Sequence, residues 1–180
     1  MSLGLQVLPC LSLILVWNQV PGLQGQEFRF GPCQVTRVFL PKLWEDFKTV
    51  KNTVQTQDDI TSVRLLGPQV LQDVSDAESC YLAHHLLKFY LNTVFKNYHS
   101  KIAKLEVLRS FSTLANNFMV IVSNLQLSED SAMLPIRESA HQRFLLFHRA
   151  FEQLDTEVAL VKALGEVDIL LTWMQKFYQL

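Results

Sequence analysis

A chain of 180 residues that is 49% hydrophobic, with twelve Phe, has the length of one domain and enough apolar side chain to bury a core without many disulfides or a metal. Its 16 Lys and Arg stand against 17 Asp and Glu, so no net field draws it to nucleic acid or to an acidic membrane, and a protein partner is the default.

Residues 1–25 contain no Asp, Glu, Lys or Arg, and an apolar stretch from Leu3 to Trp17 is followed by Pro21, Gly22 and Gly25. This pattern predicts a secretory signal peptide. The stretch is shorter than the roughly 20 residues that span a bilayer, and no later segment is apolar for long enough, so no membrane insertion is expected. Cleavage is placed after Gly25, leaving a domain of residues 26–180, although Gly22 serves equally well. Loss of the leader removes Cys10 and leaves Cys33 and Cys80 in an oxidising compartment. One disulfide between them is expected, the alternative being two unpaired buried thiols.

From Leu40 onward the apolar residues recur at alternating steps of three and four, which places them on one face of a helix. Leu43, Phe47, Val50 and Val54 mark the first helix, opened by Pro41. Residues 57–74, with Gly67 and Pro68 inside, predict an extended connection with room for one short helical turn. Ser75 and Glu78 have the spacing of a capping box, so a second helix starts there. Its stripe of Leu87, Leu91, Val94 and Tyr98 is widened by Leu82, Leu86, Phe89, Tyr90 and Phe95, as expected of a central helix covered on most sides. A polar turn at His99 and Ser100 leads to a third helix, carried by Val107, Phe111, Leu114, Phe118, Ile121 and Leu125. Polar residues 126–131 end it, and Pro135 marks the next entry.

Ala140, Phe144, Phe147, Phe151, Leu154 and Val158 repeat the spacing. Leu160, Leu164, Val167, Leu171, Met174 and Tyr178 repeat it again, displaced by two residues. One straight helix cannot hold both stripes on one face, so a break is expected near Asp155 and Thr156, and the chain should end as two helices. The fold class is all-α.

Chemistry has little to stand on. There is no Gly-rich phosphate loop, G-x-S-x-G elbow or H-E-x-x-H pair, and adjacent His84 and His85 point about 100° apart on a helix, a poor start for two ligands to one ion. Asp155 with Glu157, or Glu166 with Asp168, could supply acid and base but read as ordinary surface charge. No enzymatic activity, metal or cofactor is expected. A basic cluster of Lys96, His99, Lys101, Lys104 and Arg109 reads as a solvated turn, with glycosaminoglycan binding as the alternative. The Phe-rich run from Phe144 to Phe151 reads as core, with a lipid cavity as the alternative.

Two segments give the chain a family likeness. S-D-A-E-S-C-Y-L-A-H-H-L-L-K-F-Y-L-N-T-V-F, Ser75 to Phe95, resembles the interleukin-10 family signature, in which a Cys near the helix start precedes a paired aliphatic, an aromatic pair and a final apolar pair. K-A-L-G-E-V-D-I-L-L-T-W-M-Q-K-F-Y, Lys162 to Tyr178, is similar to the family's last helix, with its Lys, Gly-Glu and Asp. Together with S-F-S-T-L-A-N-N-F, Ser110 to Phe118, they cover just under a third of residues 26–180, spread along its length, and point to the interleukin-20 subgroup.

The resemblance implies a compact six- or seven-helix bundle, monomeric, that binds the interleukin-20 receptor beta chain together with the interleukin-20 receptor alpha or the interleukin-22 receptor alpha chain and signals through Janus kinases and STAT factors. It places the alpha-type receptor contact on Arg64, Lys162, Glu166 and Asp168. Lys162 and Glu166, with Val158 and Gly165, are expected on an exposed strip opposite the Leu160 to Tyr178 stripe and Asp168 near its edge, ordinary surface charge being the alternative for each. Subgroup members often carry N-linked glycans, but no Asn here lies in N-x-[ST]. Asp59-Ile60-Thr61 and Asp73-Val74-Ser75 hold Asp where Asn would complete the motif, so no N-glycosylation is expected.

Overall fold

The computed structural model describes residues 26–59 and 62–179. The expected signal peptide with Cys10, and Ile60 and Thr61 of the incomplete glycosylation motif, lie outside that range. Pro41 stands in the first turn of α1 (Leu40–Gln55), where its missing N–H breaks no intrahelical bond. The stripe Leu43, Phe47, Val50 and Val54 is buried. Gly67 precedes the single turn α2 (Pro68–Leu71) inside an otherwise extended connection.

The central helix begins at α3 (Asp76–Phe89), where the Ser75 hydroxyl accepts the Glu78 N–H at 3.2 Å. Only that half of the capping box forms. The Glu78 carboxylate turns instead to the Ser139 hydroxyl and, at 3.0 Å, to the Arg143 guanidinium. The helix then passes through a π-helical segment, Tyr90–Phe95, into a last α turn, Lys96–Tyr98. Bonds from i to i+5 widen the turn by a residue, and Tyr90, Val94, Phe95 and Tyr98 all face inward.

Next comes α4 (Leu105–Asn124), with Val107, Phe111, Leu114, Phe118 and Ile121 buried, and then α5 (Leu134–Glu152), with Pro135 in its first turn. The Phe-rich run of α5 is core: Phe147 and Phe151 are buried and meet the Phe89 ring edge-on, at 5.4 and 5.0 Å between centroids. Such pairs add about 0.5–1.5 kcal/mol beyond the area they bury.

The expected break at Asp155 is present, and α6 (Thr156–Gly165) follows it. A second break was not expected. Glu166 leaves helical geometry, with φ −89° and ψ 9°, between α6 and α7 (Val167–Gln175). Leu160, Leu164, Val167, Leu171 and Met174 are all buried across this break, which is why their spacing conceals it. Tyr178 departs from that helix altogether and lies in a strand.

That strand belongs to a small sheet, a departure from a purely helical fold. β1 (Glu27–Phe30) lies between β2 (Cys33–Val35) and β3 (Tyr178–Gln179), antiparallel to both. Phe28 and Phe30 alternate inward, fully buried and stacked 5.6 Å apart. Gly31 makes the β1–β2 turn at φ 59°, and a Cβ there would fall 2.3 Å from the Asp76 carbonyl oxygen. The Cys33–Cys80 disulfide, Cα atoms 6.0 Å apart, ties β2 to the first turn of α3.

Candidate functional site

An open groove of about 510 Å³ runs between α1, the segment leading into α2, and α7. Its floor is apolar, with Leu66 and Trp173 buried and Trp44 half-buried. Its rim carries Lys51, Arg64 and Lys176 against one carboxylate, Asp168. The amphipathic helix puts Trp44 and Lys51, seven residues apart, on one face beside the core stripe. Asp168, Ile169, Thr172 and Lys176 line the opposite wall by the same spacing.

Next to the groove, a polar recess of about 260 Å³ is lined by Asp58, Arg64, Lys162, Glu166 and Asp168 among others. The four residues picked out by the family resemblance therefore converge on one place. They do not share one exposed strip. Arg64 is exposed and Asp168 half-buried, whereas Lys162 is 7% and Glu166 6% accessible, and Gly165 is buried too. The reason is the loop between α1 and α2, which folds over the last helix and takes these groups as its supports.

Each support is specific. The Glu166 carboxylate accepts the Leu66 N–H at 2.8 Å and the Leu65 N–H at 2.9 Å, and Lys162 Nζ meets Asp58 at 3.0 Å. The break at Glu166 makes this possible by aiming its carboxylate at the loop. Burial pushes the Glu166 carboxyl above the usual carboxylate range, while the Leu66 and Leu65 N–H groups and the Lys162 and Arg64 cations pull it partly back. Gln55 donates to the Gly165 carbonyl at 2.9 Å, and the Ile169 N–H donates to the Asp168 carboxylate at 2.8 Å. Deeper in, the fully buried Tyr90 hydroxyl donates to the Ala163 carbonyl at 2.6 Å, anchoring α6 on the π-helical segment. Burial raises its pKa well above the usual phenol value.

This arrangement can hold a charged loop rigidly and present a cation-rimmed apolar trough. Among the described residues no group of three His, Cys, Asp or Glu could hold a metal ion. Sequence reasoning passed over Trp44, Lys51, Ile169, Thr172 and Lys176. The usable signal was a Trp placed off the core stripe of an amphipathic helix.

No protein-family model matches the chain. It is 82% identical over 181 residues to interleukin-24 of Mus musculus, a match that spans all of both proteins. Its fold is similar to the solved structure of a sequence-edited human interleukin 24, at 58% identity and a TM-score of 0.68 over 85% of this chain and 99% of that one. It is also similar to the crystal structure of human interleukin-19, at 26% identity and a TM-score of 0.67 over 79% of this chain and 90% of the other.

Proposed function

The chain belongs to the interleukin-10 family of helical cytokines, and on that footing we propose that it is secreted after loss of residues 1–25 and acts as a monomer that joins two class II cytokine receptor chains. One is the interleukin-20 receptor beta chain. The other is the interleukin-20 receptor alpha or the interleukin-22 receptor alpha chain, and their union starts JAK-STAT signalling. The observation that carries this reading is the convergence of Arg64, Lys162, Glu166 and Asp168 beside an open, cation-rimmed apolar groove.

Within this reading the four residues divide the work. Arg64 and Asp168 reach the groove and touch the alpha-type receptor directly. Lys162 and Glu166 act mainly through the loop they hold, which keeps Arg64 on the rim. A preorganised loop lowers the ordering cost of association, and Trp44 together with the rim cations has the composition of an interface anchor.

Binding of the mature chain to the three purified receptor ectodomains tests the proposal. It expects a ternary complex with the beta chain and either alpha-type chain, and STAT phosphorylation in cells bearing them. A chain that binds none of the three while remaining folded would overturn it.

A further inference from the structure

On the side of the molecule formed by α3, α4 and α5, two more grooves flank the outer ridge of the central helix, one against α5 and one against α4. Lys88 and Asn92 line both, so the grooves form one continuous surface with the helix as its crest. We propose that this ridge binds a sulfated polysaccharide of the cell surface.

The cations carry the argument. Lys88, Lys96 and Arg137 line the two grooves and are exposed. None has an ion-pair partner within 4 Å among the described residues, whereas Arg29, Lys42, Lys101, Arg143 and Lys162 each have a carboxylate. One acidic residue, Glu138, lines either groove. The basic cluster suggested by sequence overlaps this array only at Lys96 and His99. Lys101 is engaged by Glu157 at 2.8 Å, while Lys96 of the same cluster lines the groove against α4 and continues the array of Lys88 and Arg137.

The shape argues for a linear polymer. Lys88 and Lys96 stand eight residues apart, about 12 Å along a helix axis, and Arg137 extends the array sideways. A repeating polyanion engages several such points at once and releases counterions as it does so. Asn92, Asn116 and Ser112 offer partners for sugar hydroxyls, and Leu91 with the 56% exposed Met119 offers apolar contact for ring faces. The groove is poorly made for nucleic acid. In the groove against α4 the Phe95 and Phe111 rings, at 4% and 1% accessibility, are sunk in the floor and offer no face for bases to stack on.

The test measures the mature chain on immobilised heparan sulfate at about 0.15 M ionic strength, with desulfated polymer, single-stranded DNA and anionic vesicles as competitors. Lys88→Ala/Lys96→Ala/Arg137→Ala is expected to weaken binding roughly tenfold or more and to flatten the salt dependence. Arg37→Ala/Lys48→Ala/Arg149→Ala removes the same charge from exposed residues that line neither groove and is expected to change binding less than about twofold. Equal loss in the two triple variants would mean general charge attraction and would overturn the site. So would absent binding by the parent chain, or competition by DNA or vesicles as strong as by sulfated polymer.

Discussion

Replacing Glu166 by Ala should damage the protein far more than a surface carboxylate would. Its two oxygens take the N–H groups of Leu65 and Leu66, residues each 2% exposed. An orphaned buried donor costs about 1–3 kcal/mol, so losing both acceptors costs about 2–6 kcal/mol. Water entering the adjoining recess can satisfy part of this, which places the expectation near 2–4 kcal/mol. Glu166→Gln keeps one acceptor oxygen and turns an NH₂ group toward the other donor, so roughly half of that loss is expected. In urea titrations with a slope of roughly 2 kcal/mol per molar, Glu166→Ala should lower the midpoint by about 1–2 M. Hydrogen exchange at the Leu65 and Leu66 amides should accelerate with it. An unchanged midpoint with unchanged exchange would refute the view that Glu166 holds the loop.

Serine in place of both Cys33 and Cys80 should lower stability by about 4 kcal/mol, the chain-entropy value for partners 47 residues apart, as read from thermal or urea unfolding. Arg143→Ala should cost about 3–5 kcal/mol in the same unfolding measurement, because it strands the buried Glu78 carboxylate and frees the carbonyls of Val70, Gln72 and Asp73. His85 packs against Phe144 at 5.2 Å and His141 at 5.3 Å, and burial first, then the neighbouring His141, His84 and Lys88 charges, lower it from 6.5 to about 4. The folded state thus binds fewer protons than the unfolded chain between these values, so its contribution is complete above pH 6.5 and is lost as pH falls toward 4. With solvent screening at this half-buried site the loss is about 1–2 kcal/mol. His85→Phe should flatten that part of the stability profile, and an unaltered slope would contradict the assignment.

Much of the helical frame was legible in the residues. Pro41, Ser75 and Pro135 announced three helix starts because each solves a helix-end problem locally, and the two-residue slip between stripes announced the break at Asp155. The second break escaped because Leu160 to Met174 keep helical spacing across Glu166, and the groups that meet its carboxylate come from about a hundred residues away in sequence. The same distance hid the burial of Lys162 and Glu166. Helical periodicity placed them opposite the core stripe, but only the tertiary fold brings Asp58, Leu65 and Leu66 down upon them. The sheet was missed for a related reason: Glu27–Phe30 is too short for its alternation to stand out, and its partner β3 ends an apparently helical run. The π-helical segment left no mark, since Tyr90, Val94, Phe95 and Tyr98 read equally well as a wide α-helical face. Ser75 and Glu78 spelled a complete capping box, yet Ser139 and Arg143 compete successfully for the Glu78 carboxylate.

The central claim is that an alpha-type receptor grips the groove between α1, the loop and α7. Binding of Arg64→Ala/Asp168→Ala and of Trp44→Ala to each receptor ectodomain tests it most directly, with melting temperature measured on the same samples. Loss of alpha-type receptor affinity by at least about 2 kcal/mol per anchoring group, with binding to the beta chain retained and both variants still folded at the assay temperature, is the predicted result. Unaltered alpha-type binding by both folded variants would contradict it.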